Sequence, residues 1–259
     1  IIGMKDPNPL VDGFRELKFR GLKTKIGILE KEAKKLNEAY IKYIRTKRPF
    51  VIIKVAMSLD GRIATSTGNS KYITSKEART HVHKLRSEVD AVMVGLNTVL
   101  RDNPKLTPRL VKGKDPMKIV VDSRLKIPKK CNLMKEPSKL IIAATSKAPK
   151  AYAKKLQQKG VNVIVTKSKN GMVDLQDLMK QLGKHEITSV MIEGGSQLNS
   201  SAIKEGVVDK VLIFTAPKLI GNGIGAIGSL GIKKISNAIN LKNPVCRRIG
   251  NDMMVEGYL

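Results

Sequence analysis

The sequence predicts an α/β protein, one mixed sheet flanked by helices and antiparallel at its C-terminal end. Three observations point to it. From Pro49 onward, short β-branched apolar runs alternate with stretches that repeat every three to four residues, the pattern of strands joined by helices. The apolar runs are bounded by charge or turn residues, and none approaches the length of a membrane-spanning helix. The chain closes on "CRRIGNDMMVEGYL", two short strand-like runs around a turn. Its 259 residues, 41% of them apolar, suit one large domain with a smaller piece attached.

Residues 1–48 differ from the rest of the chain. The opening Ile1-Ile2-Gly3-Met4 reads as the end of a buried strand, so natural sequence is expected before residue 1. "DPNPLVDG" (6–13) is a turn-rich loop. "FRELKFRGLKTKIGILE" predicts a helix closed near Gly21 and a strand over 25–29. "EKEAKKLNEAYIKYIRTK" reads as one helix, with Ala33, Leu36, Tyr40 and Ile44 on a stripe, ended by Pro49. This piece holds too few apolar groups to fold alone.

After Pro49, strands are expected at 50–58, 90–95, 118–122, 139–144, 161–166, 189–193 and 210–214. Helices are expected at 75–87, 150–159, 174–182 and 197–204. In the first of them Thr74 and Glu77 form a T-x-x-E capping box. Ala78, Val82 and Leu85 take its core face, and Arg79, His83 and Arg86 the neighbouring stripe.

The net charge of +27 raises the question of nucleic acid. The lysines are scattered rather than striped, and aromatics, the stacking platforms of single-strand binders, are only 3%. Anionic small molecules are the better expectation. Cys131 and Cys246 form no C-x-x-C pair, which fits a reducing, cytoplasmic compartment. His81 and His83, two apart on a helix, point to different faces and cannot share a metal, so no metal site is expected.

Several stretches could carry chemistry. In "SVMIEGGSQLNSSAIKEG" (189–206) a buried strand ends in Glu193, Gly194 and Gly195 permit close backbone approach, and Ser196 can cap a helix whose free amides suit phosphate. An ordinary strand–turn–helix joint explains the same residues equally well. "LIGNGIGAIGSLG" (219–231) has G-x-G-x-G but no helix behind it, and reads as a flexible loop. "VGLNTVLRDNPKLTPR" (94–109) offers Thr98, Asp102 and Arg109 in a loop broken by Pro104 and Pro108. "VVDSR" (120–124) presents Asp122, Ser123 and Arg124 at a strand end. In "KVAMSLDGRIATSTGNSKYITS" (54–75), alternation puts Phe50, Ile52, Lys54, Ala56 and Ser58 on one face of a strand. There Lys54 either lines a cleft or protects an edge strand.

Taken together, "KVAMSLDGRIATSTGNSKYITS", "HKLRSEVDAVMVGLNTVLRDNPKLTPR", "VVDSR" and "MIEGGSQL", in this order, resemble the reductase domain of the bifunctional riboflavin-biosynthesis deaminase/reductase family. The resemblance runs from about Arg48 to the C-terminus. "GMKDPNPLVDG" and "GILEKEAKKLN" resemble the tail of the family's zinc deaminase domain. That divides the chain into a deaminase remnant (1–48) and a reductase domain (49–259). The deaminase signature, H-A-E and P-C-x-x-x-G-x-x-P-C, is absent from this chain, so any zinc would belong to a deaminase part outside it.

The resemblance implies a dihydrofolate-reductase-like fold and NADPH-dependent reduction of 5-amino-6-(5-phosphoribosylamino)uracil to the ribityl product. It implies a cofactor site of Ala56, Tyr72, Thr98, Asp102, Ser123, Gly195, Ser196, Gln197, Leu198, Asn199, Ser200 and Ser201, with Tyr72 where many relatives have tryptophan. It implies a substrate site of Ser70, Arg86, Leu106, Arg109 and Glu193, in which the two arginines suit a ribose phosphate. Lys54, Asp102 and Glu193 are the catalytic candidates, and Arg124 is a candidate for the cofactor 2′-phosphate. Homodimers or higher homo-oligomers are expected by analogy, with no membrane and no nucleic-acid partner. Two other readings remain at this point. A monofunctional reductase would act on the undeaminated diaminopyrimidinone, and a basic nucleic-acid binder would show salt-sensitive affinity for random DNA.

Overall fold

The computed structural model describes residues 2–8 and 12–259; residue 1 and residues 9–11, part of the predicted turn-rich loop, lie outside the described residues. The N-terminal piece contains β1 (Ile2–Gly3), α1 (Gly13–Phe19), β2 (Lys25–Ile26), α2 (Glu30–Leu36) and α3 (Glu38–Thr46). β1 and β2 pair in parallel. Two expectations are corrected here. The strand predicted over 25–29 stops at Ile26, because Leu29 takes a left-handed φ of 53° to enter α2. The single helix of 30–47 breaks at Asn37 (φ −107°, ψ 16°). The break rotates the apolar stripe, so Leu36 is left 87% exposed and neither half buries a residue. α3 is instead held by polar links. Glu38 accepts from Lys210 and Tyr258, Lys42 pairs with Asp209, and the Tyr43 hydroxyl donates to Gly183.

From Pro49 the chain runs through β3 (Phe50–Ser58), β4 (Arg62–Thr65), α4 (Lys76–Glu88), β5 (Ala91–Gly95), α5 (Leu96–Asp102) and β6 (Met117–Val121). It continues with β7 (Leu140–Thr145), α6 (Lys150–Gln158), β8 (Asn162–Thr166), β9 (Ser168–Lys169), β10 (Met172–Val173) and α7 (Leu175–Lys184). β11 (Ser189–Ile192), α8 (Ser196–Lys204), β12 (Lys210–Ala216), β13 (Gly223–Gly225), β14 (Lys242–Ile249) and β15 (Asp252–Tyr258) complete it. Nine strands form the main sheet in the order β14-β15-β12-β3-β11-β5-β6-β7-β8. Pairings from β12 to β8 are parallel, and β15 and β14 close it antiparallel.

Both faces of the parallel part are covered, which is why its strands are nearly continuous apolar runs. One face buries Val51, Ile53, Val55, Met93, Ile119 and Ile192 under Leu175, Leu178, Met179 and Leu182 of α7 and Leu198 and Ala202 of α8. The opposite face carries Val92, Val120, Ile142 and Val163 against Leu156 of α6 and Val99 of α5. Beside them Ala78 and Val82 of α4 pack on Leu212, Phe214 and Met254.

Helix starts fall one residue away from where residue type alone puts them. Ser75, not Thr74, caps α4: its hydroxyl accepts from Ala78 N, and Asp252 takes the Ser75 N–H from outside. Gly195, not Ser196, caps α8, with φ 85° and no side-chain capping bond. Two predicted loops are ordered differently. Thr98 and Asp102 lie on α5, a seven-residue helix that stops at Asn103 (φ 40°) just before Pro104. In the glycine-rich stretch, β13 pairs antiparallel with β4.

Candidate active site

The site grows from β3, which lies inside the sheet between β12 and β11, so Lys54 is not on an edge. Alternation turns Val51, Ile53 and Val55 toward α7 and α8, and Ile52, Lys54 and Ala56 toward α4. Beyond Ser58 the Asp60-Gly61 turn is fixed by the Asp60 carboxylate, which accepts from the Ser58 hydroxyl and from the Ile220 and Gly221 amides. Those bonds hold its pKa down to about 2.

Parallel pairing of β3 with β11 sets Ile53 against Ile192, and the next residue along is Glu193. Its backbone N–H still donates to Met93 of β5. Its side chain, 4% exposed, lies 3.2 Å from Lys54 Nζ. Arg86, one turn beyond His83 on the polar stripe of α4, grips the same carboxylate with Nε at 2.5 Å and Nη2 at 2.9 Å. This two-point fork suits guanidinium and carboxylate. Burial pushes the Glu193 carboxyl up, but Lys54 and then Arg86 outweigh it and hold the group at about 2. Burial likewise pulls the Arg86 guanidinium down, and Glu193 more than restores it.

These groups open onto a cavity of about 590 Å³. α5 contributes Asn97, Thr98, Arg101 and Asp102, all on one side of a short helix. Opposite stand Gly194, Gly195, Ser196 and Gln197 at the start of α8. Gly194 (φ 118°) requires glycine, and a Cβ there would sit 3.4 Å from the Thr98 hydroxyl. Tyr72 lies at the rim, 65% exposed, with the Arg79 guanidinium 4.2 Å from its ring centre.

Thirteen of the expected residues line this cavity: Lys54, Ala56, Ser70, Tyr72, Arg86, Thr98, Asp102, Arg109, Glu193, Gly195, Ser196, Gln197 and Asn199. The others stand off its wall. Leu106 buries its side chain in the core at φ 57°, so any contact it makes with a ligand is through its backbone. The Ser123 hydroxyl accepts from Val173 N, and Arg124 next to it is exposed. Leu198 belongs to the core under the sheet, the Ser200 hydroxyl turns back to Gln197 O, and Ser201 lies further along the helix. Residue reading missed Asn97 and Arg101 as lining groups. The signal was the i, i+1, i+4, i+5 spacing of Asn97, Thr98, Arg101 and Asp102, had 96–102 been read as a helix.

Among the described residues no three His, Cys, Asp or Glu side chains gather as metal ligands, and no helix is long and apolar enough to cross a membrane.

Residues 49–255 match the family model described as the RibD C-terminal domain. The riboflavin biosynthesis protein RibD of Actinobacillus pleuropneumoniae is 41% identical over 260 residues, covering 98% of this chain and 69% of that protein. The structure of Acinetobacter baumannii RibD superposes with a TM-score of 0.86 at 29% identity, over 99% of this chain and 72% of that one. A Thermotoga maritima protein described as a diaminohydroxyphosphoribosylaminopyrimidine deaminase/5-amino-6-(5-phosphoribosylamino)uracil reductase matches at 32% identity and a TM-score of 0.84, over 99% of this chain and 70% of that one. The shared sequence covers the lysine strand, the arginine helix and the Glu193 turn alike, and the chain belongs to the RibD family.

Proposed function

We propose that this chain catalyses the reductive step of riboflavin biosynthesis, converting 5-amino-6-(5-phosphoribosylamino)uracil to its ribitylamino product with NADPH. The observation that carries this reading is the buried Lys54–Glu193–Arg86 cluster, which faces a glycine-lined helix start across one cavity. Residues 49–259 are the reductase domain in this reading, and residues 1–48 the tail of a deaminase domain.

The residues present fit the cofactor. Gly194 and Gly195 leave room that side chains would fill, the first amides of α8 suit a pyrophosphate, and Thr98 and Asp102 stand opposite without protein partners for their side chains among the described residues. Tyr72 presents a planar ring at the rim. NADPH, once bound, supplies the hydride. The protein's part is to orient the substrate and manage a proton. A ribosylamine opens to a protonated imine as its C1′–O bond breaks. The nitrogen keeps its proton and becomes the neutral amine when the carbon accepts the hydride, so only the released sugar oxygen needs a proton. Lys54, steadied by Glu193, donates to the sugar oxygen released by that opening, and Asp102 positions hydroxyls. Arg109, free of acidic partners among the described residues, attracts the phosphate.

Following NADPH absorbance with the uracil ribosylamine phosphate, and separately with its undeaminated precursor, tests the reading. Oxidation with the uracil compound alone is expected. Oxidation with the precursor alone would move the enzyme to the other pathway order, and silence with both would overturn the proposal.

A further inference from the structure

We propose that His83 is a specificity residue of this cavity, whose Nε2–H and the neighbouring Arg86 Nη1 form a paired donor for one phosphate oxygen. The inference rests on the substrate class proposed above. It starts from a tautomer. His83 is 4% exposed, lines the cavity, and accepts the Leu110 backbone N–H on Nδ1 at 3.2 Å. An imidazole that accepts on Nδ1 and carries one proton carries it on Nε2. Burial, followed by the positive charges of Arg86 and Arg109, pulls its pKa down to about 4, so the ring is neutral at pH 7.

The neighbouring atom makes that tautomer matter. His83 Nε2 lies 3.5 Å from Arg86 Nη1. A guanidinium cannot accept a hydrogen bond, and an Nε2 bearing a proton cannot accept one either. Two donors therefore face one another, and an oxygen acceptor set between them satisfies both. Arg86 has little else to offer a ligand. Its Nε and Nη2 are committed to Glu193, and Nη1 also donates to Thr107 O at 3.2 Å.

The charge of the missing acceptor follows from the surroundings. Arg109 follows Thr107 on the same loop, forms no ion pair among the described residues, and acts electrostatically on His83. Glu193, the acidic group felt by His83, is already neutralised by two cations. The vicinity is cationic, and a phosphate oxygen fits it better than a neutral carbonyl. His83 also ties α4 to the loop that carries Arg109 through its bond to Leu110, so one ring both reads the anion and places the second cation.

Nitrogen-15 NMR of the imidazoles in the full chain tests this directly. The His83 signals, identified by their loss in His83→Gln, are expected to show the Nε2–H tautomer and to shift with ribose 5-phosphate but not with ribose. In steady-state assays His83→Leu should raise KM for the phosphorylated substrate about tenfold, roughly the worth of one charge-assisted hydrogen bond, with a smaller loss in kcat. His83→Gln, which offers both an acceptor and a donor, should recover most of it. NADPH affinity should be unchanged in both variants. An Nδ1–H tautomer, an equal response to ribose, or a KM indifferent to His83→Leu would overturn the assignment. If the wild-type chain reduces the uracil compound while ribose 5-phosphate leaves His83 unmoved, only this inference fails. A His83 response in a chain that reduces neither compound would support it and sink the proposed reaction instead.

Discussion

Replacing Glu193 by glutamine should destabilise the protein strongly at neutral pH and much less in acid. The carboxylate is almost solvent-free and lies 3.2 Å from Lys54 Nζ, and at an effective dielectric of ~20 that separation alone gives an attraction of about 5 kcal/mol. Burial offsets part of it, and breaking such a pair leaves a net loss of about 3–5 kcal/mol. Proton linkage gives a similar size. The folded carboxyl is held at about 2 against an ordinary 4.5. Its contribution, about 3 kcal/mol, is therefore fully present above the ordinary value and is lost as the pH falls through the folded one. At pH 3 about 1.4 kcal/mol should remain. Urea unfolding of wild type and Glu193→Gln at pH 7 and pH 3 measures both numbers. With a slope of about 1–3 kcal/mol per molar, the midpoint should drop by about 1–3 M at pH 7 and by less than half of that at pH 3. Equal drops at the two pH values would refute the reasoning, because between the two pKa values the unfolded carboxyl takes up a proton that the folded one refuses, and the charge contribution must shrink.

Lys54→Met should slow single-turnover hydride transfer by ~10²–10⁴ while NADPH affinity stays close to wild type, and an unchanged rate would remove Lys54 from the chemistry. Gly194→Val forces a β-branched residue to a φ of 118° and drives it toward Thr98. It should cost about 1–3 kcal/mol and weaken NADPH at least ~10-fold in equilibrium titration. In Gly183→Ala the new Cβ would fall 2.0 Å from the Lys47 carbonyl oxygen, an impossible approach. Its melting temperature should fall by several degrees, as an overpacking cost of about 1–3 kcal/mol requires, whereas an unmoved melting temperature would mean that the end of α3 yields freely.

How much of this was legible beforehand depended on what each segment needed from elsewhere. Residues 50–58 contain their own evidence, a β-branched run with one lysine, and β3 spans those residues as expected. The start of α4 does not. Thr74 and Ser75 are equally able caps, and the choice is made by Asp252, a residue far along the chain that holds the Ser75 amide. α5 was hidden for another reason: seven residues without a capping side chain, closed by Asn103 and Pro104, carry the composition of a loop. Leu36 misled because a helical period says which residues share a face but not whether the helix continues through Asn37. At the site, Lys54 and Glu193 could be picked out from their own stretches, each beside an equally plain structural reading, and Arg86 only through the family resemblance. That Arg86 spends most of its hydrogen bonds on Glu193 became visible only when the sheet brought together residues 107 positions apart.

The pairing of Ile53 with Ile192 has one more consequence. Lys54 and Glu193 meet because β11, which follows β5 to β8 in the chain, lies between them and β3 in a single alignment. A slip of β3 by one residue would turn Lys54 to the side of the sheet covered by α7 and α8, and strand an ammonium group in hydrocarbon against Leu178, Leu182 and Leu198. Hydrophobic matching distinguishes such alignments poorly, since neighbouring apolar residues are near substitutes for one another. The charged cluster tolerates no such exchange, so it acts as a checksum on strand alignment, and a chain that has assembled it has also verified the geometry on which its catalysis depends.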